Sequence, residues 1–203
     1  MRIGIFGGSF DPIHFGHLIL AEHCREQASL EQVWFMPCAL GPQKPAGAHG
    51  TVRQRTEMIE LALSGHESFV LSKLEIERGE VSYTVDTLKQ IKETNPDDEL
   101  FLMMGDDSLE SFPSWRDPKM ICELATPLVA NRPGSGEVDL SVLKQFVSDE
   151  RFQEFEKLKI ISPRIEISSS EIRKKVEAGQ SIRFLMPRSV EKYIETQNPF
   201  VDN

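Results

Sequence analysis

Two imidazoles three residues apart, His14 and His17, follow the run Gly7-Gly8-Ser9-Phe10-Asp11-Pro12. Once helical geometry begins, that spacing puts both rings on one face, where ring N–H groups can donate to phosphate oxygens. The paired glycines let the main chain approach a ligand closely. A helix that starts here adds unpaired N–H groups and a partial positive charge, a seat for an anion. The same residues also fit a structural turn with two surface histidines, or a metal pair. The metal reading is weakened because no Glu or Cys partner falls at a recognised spacing. The glycines do not have the dinucleotide spacing, and Gly-Lys-Ser or Gly-Lys-Thr occurs nowhere in the chain. On residue types alone the turn reads as a phosphate seat and goes no further.

A second cluster lies near the other end, Ile167-Ser168-Ser169-Ser170-Glu171-Ile172-Arg173. Ser168 or Ser169 suits a helix N-cap, which leaves first-turn N–H groups for a ligand. Arg173 carries a planar fork of donors that grips a phosphate through two bonds. A plain helix cap with a solvated arginine is the simpler reading of the same string.

Both clusters need elements to hold them. Ile3 to Phe6 is an apolar segment stopped by glycine, the pattern of a buried strand entering a tight turn. Phe15 to Ala28 reads as a helix with Leu18, Ala21, Cys24 and Ala28 on one stripe. Strands are expected at Val33–Met36, Phe69–Leu71, Leu100–Met104, Ala125–Ala130 and Lys159–Ile161. Helices are expected at Arg53–Leu63, from Val85 to Ile91, through the charged stretch 139–157, and at Ser169–Glu177 and Ser189–Thr196. Pro37 to Gly50 reads as a long loop. The alternation predicts an α/β fold, a Rossmann-like doubly wound parallel sheet with helices on both faces and a small C-terminal helical part. Ligands of such sheets bind at the carboxyl ends of strands, where His14 and His17 fall. The expectation is one domain over residues 1–203, with 168–203 completing the site.

Bulk properties narrow the partners. At 203 residues and 39% hydrophobic, the chain can bury a core, while a formal net charge of −9 argues against a general nucleic-acid binder. No apolar run reaches bilayer length, and Met1-Arg2-Ile3-Gly4 runs straight into a core strand rather than a secretory leader. Cys24, Cys38 and Cys122 are too widely spaced for a metal framework, and they read as free thiols in a reducing compartment. The expected location is the cytoplasm, with small molecules as partners, no nucleic acid and no membrane. The sequence leaves the oligomeric state open.

The string from Gly7 to Leu18 resembles the signature of the nucleotidylyltransferase superfamily and is similar to bacterial nicotinate-nucleotide adenylyltransferases. The segment Ile167–Arg173 resembles that family's Ile-Ser-Ser-Thr-x-Ile-Arg, with Ser170 in the threonine's place, and Gly179–Pro187 looks like its closing segment. Ser82-Tyr83-Thr84-Val85-Asp86, Gly105-Asp106-Asp107 and the Phe112–Arg116 stretch are similar to the nicotinate branch. The family's loop commonly ends Pro-His-Lys, whereas this chain has Pro42-Gln43-Lys44, which keeps the lysine and loses a histidine donor.

The resemblance implies transfer of AMP from ATP to nicotinate mononucleotide, with pyrophosphate leaving and Mg²⁺ carried in with ATP. His14, His17, Lys44 and Arg173 would be the catalytic groups, with His17 on the transition-state phosphate. Gly8, Ser9, Phe10, Gly16, Gly105, Asp107, Ser168, Ser169 and Ser170 would line the ATP site, Asp107 accepting from ribose hydroxyls. Tyr83, Thr84, Trp115 and Arg116 would enclose the nicotinate nucleotide. The Trp115 indole can stack on a flat heteroaromatic ring, and main-chain N–H groups near Thr84 and Arg116 can receive a carboxylate. Ser82 or Thr84 is expected to cap the helix there. No protein-held metal is expected. The neighbouring readings are the same reaction on nicotinamide mononucleotide or phosphopantetheine, and a nucleotide sensor without catalysis. All of them need the two ends of the chain to meet around a triphosphate.

Overall fold

A computed structural model of the chain describes residues 1–41, 47–79, 81–130, 138–158, 160–161, 163 and 165–200. Strands β1 (Arg2–Gly8), β2 (Gln32–Pro37), β3 (Phe69–Leu71), β4 (Glu99–Gly105) and β5 (Ala125–Ala130) are hydrogen-bonded in the order β3-β2-β1-β4-β5. The sheet is parallel and flanked by helices, a Rossmann-like arrangement. Arg2 pairs with Glu99 and Ile5 with Leu102 across β1 and β4, and Leu100 pairs with Ala125 through to Gly105 with Ala130 across β4 and β5. Every residue of β5 and five consecutive residues of β4 are buried, as the near-continuous apolar runs of a parallel strand covered on both faces require.

The helices are α1 (Phe15–Gln27), α2 (Val52–Leu63), α3 (Leu74–Arg78), α4 (Thr84–Thr94), α5 (Asp106–Ser111), α6 (Pro118–Leu124), α7 (Asp149–Glu156), α8 (Ser169–Glu177) and α9 (Arg188–Gln197). None is long and apolar enough to cross a membrane, among the described residues. The chain packs as two compact units. One comprises Met1–Gly7, Leu20–Trp34 and Tyr83–Arg164; in it α4 packs on α6, and α5 lies against β4. The other comprises Gly8–Ile19, Phe35–Ser82 and Ile165–Asn203; in it α2 packs on α9 and on β3, and the Ser189 hydroxyl donates to the Leu61 carbonyl at 3.0 Å.

Several local expectations change. The stretch 139–157 is not one helix: a 3-10 segment, Leu140–Phe146, ends at Val147, and Ser148 then caps α7 by accepting from the Arg151 N–H. In place of a strand at Lys159–Ile161 there is a single parallel bridge from Ile160 to Ala130, and Lys159 lies outside the described residues. Helices α3, α5 and α6 occupy segments for which the sequence pattern predicts no helix. In α6 the Asp117 carboxylate accepts from the Met120 N–H and Pro118 opens the helix, both ordinary start signals. The Pro133–Gly136 loop also lies outside the described residues.

Candidate active site

The turn after β1 is built on buried side chains. Phe10 adopts a left-handed backbone (φ 46°), which swings its ring inward against Phe35, centroids 5.7 Å apart, and edge-on to His17 at 5.1 Å. The next residue, Asp11, is buried, and its carboxylate accepts from the His49 N–H at 2.7 Å and the Gly50 N–H at 2.9 Å. A carboxylate at that depth needs such donors.

The two histidines then stack, ring centroids 3.8 Å apart and 29° from parallel. His14 is buried, and loss of hydration pushes its pKa down to about 4, so its ring is neutral at neutral pH. Its main-chain N–H points at Nδ1 of His17, 3.3 Å away. A lone pair is therefore called for at Nδ1, which puts the ring proton of a neutral His17 on Nε2. Gly16 makes the stack possible. A Cβ there would lie 2.9 Å from both Cε1 and Nδ1 of His14, closer than packing allows. His14 Nδ1 is buried and finds no hydrogen-bond partner among the described residues.

Helix α8 brings the distant serine cluster to the same turn. Ser168 caps it by accepting from the Glu171 N–H at 3.2 Å. The Ser169 hydroxyl donates to the Pro12 carbonyl at 2.9 Å, and Arg173 Nη1 donates to the Asp11 carbonyl at 2.6 Å. The same Nη1 stands 3.7 Å from the Asp11 carboxylate, while Nη2 leans on the Ser170 hydroxyl at 3.5 Å. The ends of the chain do meet, by bonds that span 157 and 162 residues. One nitrogen of the Arg173 fork is committed to Asp11, so the guanidinium is fixed rather than solvated. Gly8, Ser9, Phe10, Gly16, His14, His17, Ser168, Ser169, Ser170 and Arg173 all belong to this unit. Lys44 lies outside the described residues.

The second group of predicted residues belongs to the other unit. Helix α4 starts at Thr84 with Tyr83 in the cap position and no side-chain cap bond. The expectation that Ser82 or Thr84 caps it is wrong, because the helix begins one residue too early for Thr84 and the Ser82 hydroxyl has no partner among the described residues. That end of α4 has no side-chain cap bond among the described residues, which suits an anionic ligand. Arg116 lies over the Tyr83 ring, 4.8 Å from its centroid, and donates to Asp86 at 3.1 Å. Trp115 is half-buried against Phe112, with its indole N–H donating to the Ser111 hydroxyl at 3.2 Å. Gly105 is the cap position of α5, also without a side-chain bond, and Asp107 is exposed in the first turn, its N–H bonded to Asp106 Oδ1 at 2.9 Å.

Two buried residues in the unit that holds the histidine turn escape a reading by motif. Asp11 is one letter of a longer string, and nothing in its type or spacing marks it. Arg55 belongs to no motif, and it lies three and four residues before Met58 and Ile59 on the buried stripe of α2. A charge on an apolar stripe was the available signal. Burial pushes the Cys24 and Cys122 thiols up to about 12, which keeps both protonated, and the three cysteines form no disulfide. Among the described residues, no three His, Cys, Asp or Glu side chains come together as a metal set.

Comparison with known proteins bears on the same residues. Residues 5–175 match the cytidylyltransferase-like family. The probable nicotinate-nucleotide adenylyltransferase of Rhodopirellula baltica is 40% identical over 198 residues, covering 98% of this chain and 92% of that one. That of Thermomicrobium roseum is 41% identical over 193 residues, covering 95% and 88%. Among solved structures, the nicotinic acid mononucleotide adenylyltransferase of Plasmodium falciparum complexed with NaAD superposes with a TM-score of 0.78 at 24% identity, covering 98% and 97%. At that identity the superposition speaks for the fold.

Proposed function

The chain belongs to the nicotinate-nucleotide adenylyltransferase family, and from that membership and the two residue groups we propose that it transfers AMP from ATP to nicotinate mononucleotide, supplying NAD biosynthesis. A phosphate oxygen of the acceptor attacks the α-phosphorus in line. The bond from that phosphorus to the bridging oxygen breaks, and pyrophosphate leaves as nicotinate adenine dinucleotide forms. Phosphoryl chemistry of this kind asks for position and charge stabilisation rather than a protein nucleophile.

The observation that carries this reading is the stacked pair. His14 is neutral and its main-chain N–H meets Nδ1 of His17, and Nε2 of that ring is the donor we assign to the charge that grows on the α-phosphate. Arg173 and the α8 start, with Ser168, Ser169 and Ser170, hold the outer phosphates, and Lys44 adds a further cation. Gly8, Ser9, Phe10 and Gly16 shape the wall, and Gly105 and Asp107 receive the ribose. Magnesium enters as part of the ATP substrate, held by phosphate oxygens and water. On the acceptor side, Trp115 stacks on the pyridine ring, Tyr83 and Arg116 border it, and first-turn N–H groups at Thr84 take the carboxylate.

Pyrophosphate release from ATP, measured with nicotinate mononucleotide, nicotinamide mononucleotide and phosphopantetheine in turn, tests the assignment. Turnover is expected chiefly with the nicotinate form. Preference for the amide would refute the carboxylate seat, and ATP binding without turnover on any acceptor would refute the enzyme.

A further inference from the structure

Arg55 is 2% exposed, the largest buried charged side chain among the described residues. A methionine or leucine would fill that place on the α2 stripe without the cost of burying a charge. Packing therefore does not call for a guanidinium, and its bonds show what it does instead. Nη1 donates to the Ser9 carbonyl at 2.8 Å, Nη2 to the Cys38 carbonyl at 2.9 Å and Nε to the Gly50 carbonyl at 3.3 Å. Three nitrogens of one rigid plane thus hold three separate segments: the turn after β1, the end of β2 and the approach to α2.

Each of these carbonyls has a neighbour in the site. The Ser9 carbonyl shares a peptide plane with the Phe10 N–H, and Phe10 carries the ring that props His17 edge-on. Gly50 is held from both ends, by Arg55 at its carbonyl and by the Asp11 carboxylate at its N–H. A Cβ on Gly50 would come 2.9 Å from Asp11 Oδ1, so only glycine lets the two approach. The Asp11 carbonyl in turn fixes Arg173. Cys38 donates its own N–H to the Gly8 carbonyl at 3.1 Å, which closes the frame.

We propose that Arg55 is a positioning residue for adenylyl transfer, which sets the places of His17 and Arg173 through the Ser9, Cys38 and Gly50 carbonyls. It touches no substrate. This rests on the reading of the histidine turn as the ATP side of the reaction.

The test compares the full chain with Arg55→Lys and Arg55→Met, by thermal melting and by steady-state kinetics in ATP and in nicotinate mononucleotide. Lysine keeps the charge but offers one nitrogen to three carbonyls; methionine fills the space and offers none. In a folded variant kcat is expected to fall about 10²-fold, as a misplacement of about 1 Å can cost, with a raised KM for ATP. The KM for the acceptor should stay within about twofold, since its residues lie in the other unit. A merely structural arginine would lower the melting temperature and leave that split absent. A folded variant with wild-type constants overturns the proposal. If neither variant melts cooperatively, Arg55 holds the fold rather than the site and the proposal also falls. A wild-type chain that releases no pyrophosphate refutes the functional reading itself, a result separable from indifferent Arg55 variants of an active enzyme.

Discussion

The histidine turn and the Tyr83–Arg116 group are built from opposite materials. Around the turn, Asp11, His14 and Arg55 are buried, and Arg173 is 16% exposed; their partners are mostly main-chain atoms. Around Tyr83, Arg116 is 58% exposed and Asp86 39%, and they hold each other through a surface ion pair and an aromatic face. Buried bonds to main chain fix a donor within tenths of an ångström, which charge stabilisation needs. Exposed side chains can shift to admit a ring, which recognition needs. In the proposed function the chemistry falls to the stiff part and selectivity to the compliant part.

If that contrast holds, the largest loss follows from the stiff side. Replacing His17 with alanine removes one aligned donor, and kcat should drop about 10²–10³-fold, equivalent to roughly 2.7–4 kcal/mol by analogy with an oxyanion-hole donor. Both substrate KM values should change little. Near-wild-type pyrophosphate release from a folded His17→Ala protein would remove His17 from the transition state.

The second effect is on stability and comes from His14. Its folded pKa is about 4 against an ordinary 6.5, so between those values the unfolded chain binds more protons than the folded one. Stability is complete above pH 6.5, falls as pH drops towards 4, and this contribution is then exhausted. The shift is worth about 3 kcal/mol. Denaturant melts from pH 7 to pH 4 should show the decline, and His14→Gln should flatten it. An unchanged slope in the variant would mean that other groups set the acid limit.

How much of this was legible in residues alone differs between the two regions for a physical reason. Apolar runs announced β1 and β4, and helical spacing announced α1 and α2, because their burial repeats along the chain. Helix α5 was hidden, since Gly105-Asp106-Asp107 carries turn residues and only Leu109 is buried. The histidine pair and the serine cluster were visible as types, and family resemblance joined them; periodicity cannot pair Asp11 with Arg173. Arg55 and Asp11 work through carbonyls and N–H groups that every residue possesses, so no motif spells their role. The resemblance points to a main-chain N–H near Arg116, whereas its side chain is tied to Asp86 and Tyr83, which no motif announces.

On the compliant side, Trp115→Ala should raise the KM for nicotinate mononucleotide about tenfold, within the roughly 1–3 kcal/mol that stacking of a base on an aromatic ring contributes. The ATP constants should hold. A parallel change in both KM values would place Trp115 in the packing of α5 and the turn after it rather than against the ring.

The smallest effect is expected from the ion pair, and it is the most direct check on the contrast. Asp86→Asn breaks a contact whose partners are largely in water, where such pairs contribute about 0–1 kcal/mol. Arg116 keeps its place over Tyr83 but loses its second tether, so the acceptor KM should rise by no more than about threefold, more at low salt than at high salt. Melting temperature should stay nearly constant. A large fall in kcat would mean that Arg116 is as tightly built as Arg173, and the division between a stiff donor side and a yielding acceptor side would then fail at its weakest link.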